Sequence, residues 1–269
     1  MNILKPIITL SSVMLLLLME TQLYAQEMDA KHEYHYKQLD PVETDKFRIE
    51  ISDAHSQTAF TLMKVKITNK TSDFLIFKPT EVLFKYDHGD VKHEGKDIIL
   101  KPRESHSRTI KVTGGVQFHV ENLSVIFDCF YLLPADKEVI AAPDFQLPGP
   151  INEFNASGFH VTMKKLDKQT QETVVNFIIK YQGNDYGIIT SGKTSVKLDD
   201  GREFASTAGK KMKTSVLLPG NKKKLMISYT VPGRTADMQL VNMTILWRNT
   251  FVESKAVKLD AQTLMFSVY

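Results

Sequence analysis

The densest group of potential metal ligands in the chain is His88 and His93 flanking Gly89, with Asp87, Asp90 and Glu94 beside them. If the turn folded back, imidazole and carboxylate would converge on a divalent ion, and His88, His93 and Asp90 would be the ligands of a metal-dependent hydrolase. A solvated polar turn is the simpler expectation, because the matching stretch Asp199-Asp200-Gly201-Arg202 has Asp200 in place of His88 and no ligand set. Asp199 and Asp200 are also expected to build a turn, since glycosidic chemistry needs two carboxylates held on either side of a substrate. His32 and His35 are two ligands where a specific site takes three or four. The sequence has no nucleophile elbow, zincin helix, phosphate loop or dinucleotide fingerprint. No catalytic residue, metal ligand or cofactor is assigned.

Lysine supplies the sharper feature. Lys210, Lys211 and Lys213 precede one strand-like run, and Lys222, Lys223 and Lys224 follow Pro219-Gly220 and open the next. In a hairpin the two groups would lie at opposite ends or along one edge. Lysines on an exposed edge prevent strand-to-strand aggregation, and the same six would bind an anionic polymer or an envelope protein partner. Residues 1–150 hold 17 Lys and Arg against 21 Asp and Glu, whereas residues 151–269 hold 17 against 10, so the basic character belongs to the second half. Nucleic acid is not expected as a partner, because no stacking aromatics interleave with the lysines. Tyr181 and Tyr186 are the one pair that could offer an aromatic platform to a carbohydrate.

Strands must position these residues. Phe47, Ile49 and Ile51 alternate with Arg48, Glu50 and Ser52, a period of two that predicts a strand with one buried face. Phe60 to Thr68 predicts a second strand, turning at Asn69. Further short runs follow at roughly eight-to-twelve-residue spacing, with Gly89 expected at positive φ in a hairpin and Pro102 at a strand end. The pattern then repeats. Phe159-His160-Val161-Thr162-Met163 lies 112 residues after Phe47-Arg48-Ile49-Glu50-Ile51, as Gly201 does after Gly89; Pro219 follows Pro102 by 117 and Trp247 follows Phe127 by 120. The lysine-rich stretch is what the second copy has gained.

Lys5, the apolar run Ile7 to Met19 and Leu23-Tyr24-Ala25 read as a secretory signal peptide, with no cysteine nearby to carry a lipid. The run is too short for a bilayer span, so no integral membrane segment is expected after cleavage. Cys129 is the only cysteine and sits in an apolar run, so an intramolecular disulfide is excluded and burial is its expected role. The expected organisation is a signal peptide over 1–25, a polar arm over 26–45, and two domains over 46–148 and 151–269. Val139 to Leu147 would supply the last strand of the first domain and Gln262 to Val268 that of the second.

The polar turn Thr68-Asn69-Lys70, the Asp-x-Gly turns at Asp87 and Asp199, and the loops Leu100-Lys101-Pro102 and Leu217-Leu218-Pro219-Gly220 before a penultimate strand resemble tandem secreted bacterial immunoglobulin-like domains of unknown or adhesive function. The resemblance covers roughly 47–147 and 159–268 and lacks the paired cysteines of antibody domains. It implies an all-β fold, two tandem immunoglobulin-like antiparallel β-sandwiches, with a binding or assembly role and no catalytic residue. The expected protein is a non-catalytic exported module of a bacterial envelope, in the periplasm, at the cell surface or outside the cell, contacting its partner through the second domain. A periplasmic chaperone or adaptor of two such domains is the alternative, ahead of the hydrolase. Purified protein is expected to contain no stoichiometric zinc by elemental analysis; finding it would overturn the binding-module expectation.

Overall fold

The computed structural model describes residues 32–114, 117–207 and 213–269. The expected signal peptide, the arm as far as residue 31, and Lys210 and Lys211 lie outside the described residues. Regular structure among the described residues is strand, apart from single 3-10 turns at Pro79–Glu81 and Ser191–Lys193. No helix among them is long and apolar enough to cross a membrane.

In chain order the strands are β1 (Tyr34–His35), β2 (Val42–Glu43), β3 (Phe47–Gln57), β4 (Phe60–Asn69), β5 (Phe74–Phe77), β6 (Val82–Tyr86), β7 (Gly89–Lys92), β8 (Ile98–Leu100), β9 (Ser105–Thr113), β10 (Asn122–Phe127), β11 (Phe130–Leu133) and β12 (Glu138–Ile140). They continue as β13 (Phe145–Leu147), β14 (Glu153–Ala156), β15 (Phe159–Lys168), β16 (Glu172–Tyr181), β17 (Tyr186–Thr190), β18 (Ser195–Leu198), β19 (Glu203–Ala205), β20 (Thr214–Leu217), β21 (Lys222–Thr230), β22 (Met243–Leu246), β23 (Phe251–Ser254), β24 (Val257–Lys258) and β25 (Gln262–Ser267).

The chain forms two compact units. The first holds the residues up to Thr71, Leu75–Phe130 and Lys258–Tyr269. Its sheets are β1-β3-β4-β9, with β2 also on β3, and β25-β10-β6-β7, while β5 pairs with β8. Alternation decides which side chains meet: Phe47, Ile49 and Ile51 of β3, and Met63, Val65 and Ile67 of β4, point into one core with Phe84, Val125, Phe127, Leu264 and Phe266. The intervening Arg48, Glu50, Lys64 and Lys66 face away, as the period of two predicts. Cys129 is fully buried in the same core, and burial pushes its thiol pKa up.

The second unit is Ser72–Phe74 with Tyr131–Val257, and its sheets are β14-β15-β16-β21, β13-β22-β18-β19 and β12-β23-β17-β20. Phe159, Val161, Val175, Phe177, Ile179, Leu225, Ile227 and Tyr229 fill its core. Trp247, the only tryptophan of the chain, packs there against Phe154, Phe177 and Phe251 at ring distances of 5.2, 5.2 and 5.4 Å.

Three strand assignments differ from the sequence expectation. Residues 34–43 are not a free arm: β1 and β2 pair with β3, and Tyr36 is buried, its hydroxyl donating to Val120 O at 2.8 Å. Gln262–Ser267 does not close the second domain; it pairs with β10 of the first unit, Leu264 opposite Val125 and Phe266 opposite Leu123. Phe145–Leu147 and Glu138–Ile140 do not close the first domain; they pair with β22 and β23 of the second unit, Phe145 opposite Ile245 and Leu147 opposite Met243. Since Val125 and Leu123 precede Ile245 and Met243 by the same 120 residues, the two closing strands occupy equivalent places, each in the unit of the other repeat. Periodicity fixes which face of a strand is buried but not which of two similar sheets receives it.

Phe266→Ala is expected to cost about 3–5 kcal/mol in urea denaturation and to leave the native emission maximum of Trp247 unchanged. A shifted native emission would place β25 in the second unit instead.

Candidate binding face

β21 is an edge strand, and its pairing with β16 runs from Glu172 opposite Thr230 to Lys180 opposite Lys222. Leu225, Ile227 and Tyr229 point into the core, so alternation turns Lys222, Lys224 and Met226 to the opposite, outward face. Lys223 lies in the inward phase but is exposed at the open start of the strand. Across the sheet, Asn155, His160, Lys180 and Lys222 form one continuous row of directly opposed residues. Glu153, Thr162, Ile178 and Lys224 form the next row. The face therefore gains Lys180 and His160, which the sequence expectation omitted. Lys180 sits in the outward phase of β16 with Val174, Asn176 and Ile178, a signal that alternation carries but that attention to runs of lysine misses.

The lysine groups do not share a hairpin. Lys213 precedes β20, which pairs with β17 in a different sheet, and Leu218–Asn221 then carries the chain across to β21. Four residues of strand, about 13 Å, separate Lys213 from that turn. Its backbone carbonyl accepts hydrogen bonds from the Ser191 N–H and Oγ, both at 3.3 Å. The candidate face therefore keeps Lys222, Lys223 and Lys224 and leaves Lys213 apart.

Among the described residues, Lys180, Lys213, Lys222, Lys223 and Lys224 have no ion-pair partner. The acidic groups of this face lie elsewhere: Glu153 is 3.6 Å from His160 Nε2, Asp167 is 3.8 Å from Lys165, and Glu172 stands at the other end of β16. The first unit has neutral residues at the matching positions. Thr68 and Ser105 occupy the register of Lys180 and Lys222 and hydrogen bond through their hydroxyls at 2.8 Å. Beside them Glu50 takes the Lys66 ammonium at 3.2 Å and lies 3.1 Å from Arg48 Nε. The latter is an ion contact whose geometry is not that of a hydrogen bond.

The other residues considered for chemistry are occupied by structure. His88 Nε2 is 2.7 Å from Gln117 O, and His93 is buried with its Nδ1 3.0 Å from Lys111 O, so the two rings serve different backbone carbonyls. Among the described residues no group of three or more His, Cys, Asp or Glu is arranged to hold a metal. Asp87-His88 is the tip of the β6–β7 hairpin, with Gly89 at φ 152°. Asp200 closes the β18–β19 turn, accepting from the Arg202 N–H at 3.0 Å and Nε at 2.8 Å, and the guanidinium holds its carboxyl below the usual range. Gly201 supplies the φ of 88° that this turn needs.

Tyr181 offers no platform, because it is buried against Phe159 at 4.9 Å; burial, reinforced by Glu253, pushes its phenol up to about 12. Glu253 is a group the sequence did not single out. It lines a cleft of about 670 Å³ with Tyr181, Asp185 and Lys255, and accepts from Ser157 Oγ at 3.0 Å and Gly158 N–H at 3.1 Å, so its carboxylate pins the β14–β15 turn.

The chain matches no family model and no curated protein. Among solved structures it is similar to the YjhA protein of Bacillus subtilis, at 14% identity over 40% of this chain and 96% of that one, with a TM-score of 0.27. It is also similar to the secreted serine protease VesC of Vibrio cholerae, at 10% identity over 82% and 51% of the two chains with a TM-score of 0.20. Red sea bream transglutaminase superposes at 7% identity over 84% and 32%, with a TM-score of 0.19. These superpositions are too loose to bear on family or function.

Two outcomes follow for stability. Lys180→Thr, which copies the first unit, is expected to stabilise the protein by about 0.2–1 kcal/mol in low salt by relieving the like-charge pair, with the gain shrinking as salt is added. Burial holds the His93 imidazole below its ordinary pKa of 6.5. The unfolded chain therefore protonates first as pH falls, and stability that is full above about 6.5 is lost toward lower pH. In urea midpoints measured between about pH 7 and 5, His93→Gln should show a smaller loss than the wild type.

Proposed function

We propose that the protein is a non-catalytic binding module of two immunoglobulin-like β-sandwiches, exported to a bacterial envelope. On this reading it captures an anionic polymer on the outward face of β14-β15-β16-β21. The observation that supports it is the contrast at equivalent register positions: a neutral Thr68–Ser105 pair in the first unit, an uncompensated Lys180–Lys222 pair in the second. Edge protection accounts for lysines on β21 but not for Lys180, which lies on an inner strand paired on both sides. A like-charge pair directly across a ladder costs stability, and an anionic ligand supplies the missing counter-charge. Lys222 and Lys224 are spaced by two residues along the edge, about 6.8 Å, and Lys180 lies about 5 Å to the side. The cations thus form a flat, open array suited to a chain of anionic groups rather than to one enclosed ion. Thr162, Asn155 and Asn176 add neutral hydrogen-bonding groups on the same face.

Retention of the mature protein on a heparin column, used as a generic sulfated polysaccharide, tests this. Wild type should bind at low salt and elute as salt rises, and Lys180→Thr/Lys222→Ser should lower affinity at least tenfold while unfolding no more easily than wild type. Unchanged retention of the double variant would sink the assignment of this face.

A further inference from the structure

The seat of β25 selects a simple pattern. On one side β10 pairs with it from Asn122 opposite Ser267 to Phe127 opposite Gln262. On the other, Lys37 N–H donates to Ser267 O at 2.9 Å and Tyr36 bridges Val268. From the strand itself only Leu264 and Phe266 enter the core, with the Phe266 ring 5.9 Å from that of Tyr36, while Met265 is exposed. No charged residue lies within the strand to tie it to one particular seat. β13 fills the matching place in the second unit with Phe145 and Leu147, the same two anchors in the opposite order. Each seat therefore asks for two large apolar side chains at alternate positions and a backbone ladder. Each already takes them from the other sequence repeat.

We propose that a second copy of this chain can supply β25 to the first unit, and that two chains trade this segment reciprocally to form a strand-exchanged dimer. The contacts made by the incoming strand are those of the monomer: the same ladder with β10, the same burial of Leu264 and Phe266. What changes is the path of the chain over residues 255–257, because Lys258 pairs with Asp128 at 2.8 Å and the Leu259 N–H donates to Phe130 O at 2.9 Å within the first unit, so both residues travel with β25. Because gains and losses in contacts cancel when Lys258 and Leu259 move with β25, the balance is set by the effective concentration of the tethered segment, on the order of mM for a short connection, against that of the free chains. Exchange is thus a property of refolding at high protein concentration. It does not depend on the anion-binding proposal.

The test uses the full chain carrying Ser124→Cys and Met265→Cys, positions that stand directly opposite in the β10–β25 register and point away from the core. Opposed strand residues lie within disulfide reach. Oxidation after refolding at about micromolar protein should give an intrachain disulfide. Refolding near millimolar protein should give disulfide-linked dimers on non-reducing gels, enriched at least fivefold and missing from either single-cysteine variant; the native Cys129 is buried. In parallel, wild-type chains bearing two different affinity tags should co-purify after joint refolding at the higher concentration and not after mixing as folded protein. Intrachain disulfide alone at every concentration would overturn the proposal, as would failure of the tagged wild-type chains to co-purify; the tagged pair decides the matter if the double variant does not fold.

Discussion

The first unit is closed by the ladder between β10 and β25, and the second by the ladder between β22 and β13. A strand with one apolar face and an unfilled neighbour leaves both backbone groups and core side chains open to water, a cost that another strand removes. Here that strand comes from the other repeat in both cases. Leu264 and Phe266 complete the core around Tyr36, Leu123 and Val125, and Phe145 and Leu147 complete the core around Phe177, Met243 and Ile245. The closing strands thereby tie the folding of each repeat to the other.

On this shared frame the two units have diverged at their outward faces. β3-β4-β9 and β15-β16-β21 have the same register, down to Phe47 opposite Asn69 and Phe159 opposite Tyr181. At the matching positions the first sheet has the Thr68–Ser105 hydroxyl pair, and beside it Arg48 and Lys66 gather on Glu50. The second leaves Lys180, Lys222 and Lys224 without acidic partners. In the matched rows the backbone pairing is the same, so the difference there lies in side chains.

The turn residues that invite chemical interpretation serve the frame. Asp200 and Arg202 hold the β18–β19 connection together, His93 fills the core side of the region after β7 as a neutral donor to Lys111 O, and Glu253 pins the turn before β15. Asp200 and Glu253 accept from turn N–H groups and His93 donates to a strand carbonyl, so each side chain is spent on backbone.

The sequence by itself determined the all-β class, the duplication, the buried phase of Phe47-Ile49-Ile51 and its copy Phe159-Val161, the turns at Gly89 and Gly201, and the burial of Cys129. These follow from local rules: period two, positive φ at glycine, apolar composition. Only the tertiary structure decided that Tyr34–His35 and Val42–Glu43 are strands on β3, that β13 and β25 close each other's repeat, that Lys213 parts from Lys222, and that Lys180 stands beside Lys222. The reason is common to all four. A strand's own residues specify which face it buries, but its neighbour is chosen by backbone ladders between segments far apart in sequence. In a duplicated chain two equally suitable neighbours exist, and local pattern cannot distinguish them.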